Sequence, residues 1–189
     1  MQKKFSQLYC FISEFNYLDL SNLDKNIHII YRNYKKNIDI STLISLKKYC
    51  KKNNKKLFIS NNIKLALKYK LDGIYIPAFN KQLNYIKQHI PNKFEIIGSA
   101  HNYKEILIKQ KQGCKHIFIS PLFKVKKRIN FLNIIKFNLL ILGKKNNFIA
   151  LGGINSKNLN KLRLLNISGF AGISFFQKKT APLGGRLNY

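Results

Sequence analysis

Acidic residues are scarce in this sequence. It has seven Asp and Glu, against 35 Lys and Arg, in a chain of 189 residues. Catalysis by a carboxylate pair, or cation binding by a carboxylate cluster, therefore has few candidate residues. Asp72 precedes a glycine at the start of a predicted strand, where a turn residue is expected. Any chemistry has to come mainly from neutral and basic groups.

Cysteines and long apolar runs are also few. Cys10, Cys50 and Cys114 are far apart and form no C-x-x-C pair, which argues against a zinc site or a disulfide framework. We expect reduced, partly buried thiols. No segment approaches the ~20 uninterrupted apolar residues of a membrane span, and the first residues lack a small-residue cleavage site. We therefore expect a cytoplasmic protein that does not enter a membrane.

Basic residues, in contrast, give the chain a formal net charge of +28. A basic patch on one face would indicate nucleic-acid binding. Here the lysines occur in nearly every segment, beside many Asn, Ile, Tyr and Phe, as the codons of an AT-rich genome would produce. We interpret most of the charge as compositional. Nucleic acid is then a less favoured partner than small phosphorylated ligands, which the same charge would attract.

Strand-like and helix-like patterns alternate along the chain. Short β-branched and aromatic runs lie at residues 7–13, 27–33, 56–60, 73–77, 94–100, 116–121, 148–153 and 170–176. Helical patterns lie between them at 40–54, 61–70, 102–113, 131–143 and 155–166. Such alternation predicts parallel strands joined by right-handed crossovers. The fold class is therefore α/β, and eight strands predict a (β/α)8 barrel (TIM barrel), with an open doubly wound sheet as the alternative.

The chain is short for such a barrel, which usually needs ~250 residues. Region 18–26 is brief, and Pro182 with Gly184 and Gly185 opposes a long last helix. We expect one domain over 1–189, with a core at about 7–176 and a basic tail at 177–189. The barrel should be compact, with a reduced or missing last helix.

The carboxyl ends of barrel strands share one mouth, so candidate site residues follow the strands. Gly152 and Gly153 follow the seventh strand, where glycines let backbone N–H groups approach a phosphate, although a tight turn uses the same residues. Gly172 and Ser174 end the eighth strand and could complete this phosphate cradle. Plain barrel packing is the alternative for Gly172.

Two basic side chains are candidate catalytic residues. Arg32 interrupts the otherwise apolar second strand and could clamp a pyrophosphate, unless it simply faces solvent at the strand end. His101 follows the fifth strand and could donate to a phosphate or move a proton. His28, His89 and His116 lie in or beside apolar segments, where structural roles are expected.

The order of these motifs resembles the thiamine phosphate synthase family, with its TenI-like branch, from about Gln7 to Phe176. "IIYRNY" resembles the family's second-strand Q-L-R-x-K, and "IIGSAHNYKEI" and "GCKHIFISPLF" are similar to its fifth- and sixth-strand motifs. "LFISNNIKLALKYKLDGIYIPAFN" and "IALGGIN" with "SGFAGISFF" match two further blocks. The resemblance implies an enzyme that couples hydroxymethylpyrimidine diphosphate to thiazole phosphate, releasing pyrophosphate with Mg2+ assistance.

The resemblance also implies roles for individual residues. Gly153 and the backbone from Gly172 to Ser174 would hold the thiazole phosphate, and Arg32 would contact the diphosphate. His101 lies near the family histidine. The remaining candidates for substrate and phosphate binding are Gly152, Asn61, Ser120 and Lys126.

The sequence departs from the family pattern at the expected metal ligands. The two family aspartates that hold Mg2+ fall on Asn61 and Asn80, and an amide lacks the charge that binds a hard cation. We expect weak Mg2+ binding at these two residues. The tautomerase branch often has a histidine after strand six, where this chain has Ser120 and Pro121.

Two interpretations follow from these departures. In one, Lys124, Lys126, Lys127 and Arg128 supply the positive charge that Mg2+ would otherwise supply. In the other, the chain is a paralogue that binds thiazole phosphate or thiamine phosphate without coupling. The expected partners are small phosphorylated substrates, and a homo-oligomer is left open.

Overall fold

A computed structural model describes residues 5–33, 38–85, 89–125, 129–172 and 174–177, without the side chains of Ser174 and Gln177. Eight parallel strands close into a barrel in sequence order. They are β1 Gln7–Ile12, β2 Ile27–Tyr31, β3 Leu57–Ser60, β4 Gly73–Ile76, β5 Glu95–Ala100, β6 His116–Ile119, β7 Asn147–Leu151 and β8 Gly169–Gly172. Every strand overlaps a predicted run, and closure between β8 and β1 confirms the barrel over the open sheet. The single-domain prediction for 1–189 stays a prediction, because most of the tail lies outside the described residues.

Helices of unequal length surround the barrel. They are α1 Tyr17–Ser21, α2 Ile40–Lys52, α3 Ile63–Lys68, α4 Tyr103–Lys111, α5 Asn133–Ile141 and α6 Ser174–Gln177. The side chains of Asp39, Asn62 and Asn102 cap α2, α3 and α4 by accepting from first-turn N–H groups. Within the described ranges, no helix has the length and apolar character needed to cross a bilayer.

The predicted helix at 155–166 differs from the observed structure, which is a turn followed by a 3-10 helix, Leu159–Leu164. The Asn155 side chain accepts from the Lys157 N–H, and the Asn158 side chain accepts from the Asn155 N–H. Both side-chain amides donate to the Gly153 carbonyl. These local bonds offer the backbone an alternative to the regular α-helical ladder. Among the described residues, the outer layer beside β7 and β8 consists of this 3-10 helix and of α6, which has four residues.

Aromatic side chains fill the barrel interior. Tyr9, Phe11, Phe58, Tyr75 and Phe118 are all at most 2% exposed. Tyr9 and Phe118 pack edge to face with ring centroids 5.0 Å apart, and Phe11 and Tyr75 do so at 5.1 Å. Because these rings close the centre, the mouth of the barrel is separated from its base.

The base of the barrel carries a group of polar side chains, of which His116 is buried. Glu95 pairs with Lys56 at 2.9 Å and with Lys115 at 2.5 Å. Burial lowers the pKa of both His28 and His116 to about 4. Both rings lie at the amino ends of their strands, far from the mouth, which agrees with the structural roles expected for them.

A second apolar layer lies between the strands and the helices. The thiols of Cys10, Cys50 and Cys114 are buried in it and form no disulfide. Burial raises the pKa of each thiol to about 12. The three side chains therefore behave as small apolar residues at neutral pH.

Candidate functional site

A cavity of about 440 Å³ opens at the carboxyl ends of the strands. Its walls are largely apolar, with Tyr75, Phe79, Pro121 and Leu151 among them. The structure brings Arg32, His101, Ser120 and Gly152, all predicted from the sequence, to this cavity. An apolar cleft with a few converging polar groups is the usual form of a small-molecule site.

Arg32 lies just beyond β2 and above the barrel interior. Its guanidinium carbon is 4.4 Å from the centre of the Phe11 ring. Its backbone N–H donates to the Ile12 carbonyl at 2.8 Å, which extends the β1–β2 pairing by one residue. The cation–π contact and this bond direct the guanidinium to the cavity rather than to bulk solvent.

His101 is held by two neighbouring elements. Its Nδ1 lies 2.6 Å from the Ser120 carbonyl oxygen. Because a carbonyl oxygen can only accept, Nδ1 carries the hydrogen, and Nε2 of the neutral ring keeps its lone pair. The His101 backbone N–H donates to Glu105 Oε2 at 2.7 Å. The ring is thus oriented from β6 and α4, with Nε2 as the nitrogen able to accept a proton.

Gly152 and Gly153 have positive φ angles of +95° and +71°. A Cβ on Gly153 would lie 2.6 Å from the Phe123 carbonyl oxygen, so the neighbouring loop by itself requires glycine there. Among the described residues, no acceptor pairs with the N–H groups of Gly153 and Ile154. The conformation of Gly153 is therefore compatible both with a tight turn and with phosphate binding by its backbone.

The remaining cradle residues are less well defined. A Cβ on Gly172 would lie 2.9 Å from the Phe175 Cβ, so packing alone accounts for this glycine. Ser174 begins α6, two positions after the last residue of β8. Lys126, with Lys127 and Arg128, lies outside the described residues, and its predicted role stays a prediction.

Asn61 and Asn80, the two candidate metal ligands, bond to each other. The Asn80 amide donates to Asn61 Oδ1 and to the Tyr85 hydroxyl, at 2.6 Å in each case. Asn80 Oδ1 accepts from the Gln82 N–H at 2.9 Å. Two neutral oxygens that already accept hydrogen bonds do not fit Mg2+, which requires near-octahedral oxygen ligands and usually carboxylates. No group of three or more His, Cys, Asp or Glu side chains in the described part of the chain could hold a metal ion.

Sequence reasoning missed two residues that support this region, Lys109 in the last turn of α4 and Gln112 at its C-cap. Lys109 and Gln112 are both fully buried, and their side chains contact the loop that follows β4. The sequence contains an indication for Lys109, which follows Ile106 by three residues and therefore lies on the buried side of the helix. A lysine there resembles a surface residue unless its partners are known.

Comparison with known proteins assigns the chain to a family. A family model described as thiamine monophosphate synthase matches residues 28–176. The chain belongs to the thiamine monophosphate synthase family. A thiamine-phosphate synthase of Prochlorococcus marinus is 33% identical over 128 residues, which are 66% of this chain and 37% of that protein. One from Clostridium perfringens is 27% identical over 131 residues, 68% of this chain and 63% of that protein.

A solved member of the family shares the fold. The thiamine phosphate pyrophosphorylase of Pyrococcus furiosus superposes with a TM-score of 0.71 at 17% identity, covering 93% of this chain and 92% of that one. At this identity the match supports the barrel rather than the activity. The chain spans 37%, 44% and 57% of the length of three similar curated relatives.

Proposed function

We propose that this chain is a thiamine phosphate synthase that joins hydroxymethylpyrimidine diphosphate to thiazole phosphate. The observation that supports this most strongly is the shared cavity at the barrel mouth. Arg32, His101, Ser120 and Gly152 all line it in a chain of this family. Its apolar walls suit two heteroaromatic rings, and its basic and backbone donors suit their phosphates.

The proposed coupling needs no general acid or base for its central step. The C–O bond to the diphosphate breaks, and its electron pair leaves with pyrophosphate. The thiazole nitrogen then donates its lone pair to the pyrimidine methylene cation and forms the C–N bond. Negative charge develops on the leaving pyrophosphate, so a guanidinium such as that of Arg32 can stabilise the transition state.

The other polar groups have supporting roles in this proposal. The N–H groups of Gly153 and Ile154, which have no acceptor among the described residues, would hold the thiazole phosphate. His101 Nε2 can accept a hydrogen bond or a proton from a substrate phosphate. The family reaction uses Mg2+, but we assign it no residue here because the Asn61–Asn80 pair does not fit the ion.

The Asn61–Asn80 pair supports a second candidate function. A paralogue that binds thiazole phosphate or thiamine phosphate without coupling would keep the cavity and the glycine loop. Such a paralogue would not need the two aspartates that hold Mg2+ in the family pattern. In this chain Asn61 and Asn80 stand at those positions and bond to each other. The first function requires another source of positive charge, for which the exposed Lys124 is one candidate among the described residues.

Both functions can be tested with the two phosphorylated precursors. Purified protein is incubated with them, with and without Mg2+, and thiamine phosphate is measured by chromatography. We expect product, and we expect Arg32→Gln to lower kcat/KM by on the order of 10²-fold. If an active synthase assayed in parallel makes product and this chain makes none, the synthase proposal is wrong. Calorimetric binding of thiamine phosphate without turnover would instead support the paralogue.

A further inference from the structure

The loop between β4 and β5 forms one wall of the mouth cavity. Pro77, Ala78 and Phe79 line the cavity, and Asn80 follows directly after them. No helix forms among the described residues between Ile76 and Glu95, so the loop has no regular structure of its own to hold its shape. Its carbonyl groups need partners elsewhere.

The partners come from the buried side of α4 and from its C-cap residue. Lys109 Nζ donates to the Pro77 carbonyl at 2.9 Å and to the Asn80 carbonyl at 2.8 Å. Gln112 Nε2 donates to the Asn80 carbonyl at 3.0 Å and to the Gln82 carbonyl at 2.7 Å. Lys109 also donates to Gln112 Oε1 at 2.8 Å, which joins the two side chains.

The barrel provides a specific place for this lysine. Lys109 is 0% exposed, and a Cβ on Gly98 of β5 would lie 2.9 Å from its Cδ. A buried ammonium is costly unless its hydrogens are all paired, and here three acceptors match its three donors. Such complete pairing is expected where a charged group fixes one arrangement of the chain.

The ammonium remains charged at neutral pH. Burial lowers the pKa of Lys109 to about 8, while Cys114 and Glu105 both act to raise it. Its hydrogen bonds to carbonyl oxygens also favour the protonated form. At pH 7 all three hydrogens are therefore present for the loop.

The same helix also positions His101. Glu105 accepts from the His101 N–H, and Lys109 follows Glu105 by about one helical turn. One rigid element thus holds both the candidate proton acceptor and the β4–β5 loop, and both line the cavity.

We propose that Lys109, together with Gln112, is a positioning residue that sets the distance between the β4–β5 loop and His101 and so fixes the width of the substrate cavity. The anchoring itself follows from the contacts above. Its effect on substrate rests on the proposed function, because it assumes that the cavity is the substrate site.

The anchoring can be tested with Lys109→Met, which removes the ammonium and keeps much of the chain length. Lys111→Met is the matched control, since Lys111 is exposed in the last turn of the same helix. Hydrogen exchange is followed by mass spectrometry in peptides covering 77–85, with 147–151 of β7 as the internal reference. We expect exchange in 77–85 to rise by about tenfold in Lys109→Met and not in Lys111→Met.

A second variant keeps the test decisive if Lys109→Met does not fold. Gln112→Leu removes both Gln112 bonds to the loop and leaves two of the three Lys109 acceptors in place. It should raise exchange in 77–85 in the same direction by a smaller factor. Unchanged exchange in this segment, in whichever variants fold, overturns the proposal.

The kinetic measurement separates positioning from simple destabilisation. A looser wall should raise KM for the pyrimidine substrate and lower kcat/KM by on the order of tenfold or more in Lys109→Met. A purely structural role would lower apparent kcat with the folded fraction and leave KM unchanged, which would contradict the positioning role. If the wild-type chain makes no product, the proposed function fails, and calorimetric affinity for thiamine phosphate replaces KM while exchange still decides the anchoring.

Discussion

Replacing both Asn61 and Asn80 by Asp would change an attraction into a repulsion. Asn80 now donates to Asn61 across 2.6 Å. Two carboxylates at that separation repel by about 1.6 kcal/mol in water and by about twice that where the solvent is partly excluded. We take about 2 kcal/mol as the expected loss for Asn61→Asp/Asn80→Asp, because Asn61 is exposed and its side chain can move.

The assay is thermal unfolding followed by circular dichroism. For a chain of this length, about 2 kcal/mol corresponds to a fall in Tm of about 4–8 °C. Two adjacent carboxylates also create a site for Mg2+. If its Kd is about 1 mM, 10 mM Mg2+ would restore about 1.4 kcal/mol, or about 3–6 °C. NaCl at matched ionic strength shows how much of the recovery is general screening.

The single variant Asn61→Asp is the control. Its carboxylate still accepts from the Asn80 amide, so its Tm should stay close to that of the wild-type protein. An equal Mg2+-dependent rise in Tm in wild-type and double-variant proteins would refute the reasoning, since the amide pair would then already bind the ion. An unchanged Tm for the double variant would refute it as well.

Two further predictions concern the glycine loop and the base of the barrel. Gly153→Ala and Gly143→Ala both place Ala at a φ near +70°, which costs about 1 kcal/mol in each. Only Gly153→Ala also forces a Cβ to 2.6 Å from the Phe123 oxygen, so its urea midpoint should fall further by the equivalent of about 1–3 kcal/mol; equal midpoints would contradict this. For His28 and His116, whose pKa values of about 4 lie below 6.5, the unfolded state binds more protons between these values. Stability should therefore fall as pH drops from 6.5 to 4, by about 3 kcal/mol per histidine. His116→Gln should halve this slope, and an unchanged slope would exclude His116 as its source.

The barrel could be predicted from the sequence because its strands are short, apolar and regularly spaced. The site followed from one geometric rule, that the carboxyl ends of parallel strands meet at one mouth. In the structure, Arg32, His101, Ser120 and Gly152 line one cavity at this mouth, and their roles in binding and catalysis stay a prediction. The order of family motifs then identified the family, which the family model confirms.

The parts that could not be predicted depend on contacts between distant residues. A lysine is typical of a surface position. The burial of Lys109 depends on the space that Gly98 of β5 leaves for its side chain. The hydrogen bond between Asn61 and Asn80 joins two loops that are distant in sequence. The residue types alone therefore suggested two weak metal ligands and not two side chains bonded to each other. The loss of a regular helix after Gly153 came from the side chains of Asn155 and Asn158, whose local bonding the helical pattern does not encode.

The thin outer layer beside β7, β8 and β1 has a consequence for how the chain would respond to its ligand. The described coverings there are a 3-10 helix of six residues, α6 of four and α1 of five. Segments with few buried contacts open at the lowest free energy, so opening should begin where the first and last strands meet. A phosphate held by the loops after β7 and β8 would bind only the closed barrel and would raise its stability by mass action. On the proposed function, a bound substrate phosphate would therefore stabilise the junction of β8 and β1 against opening.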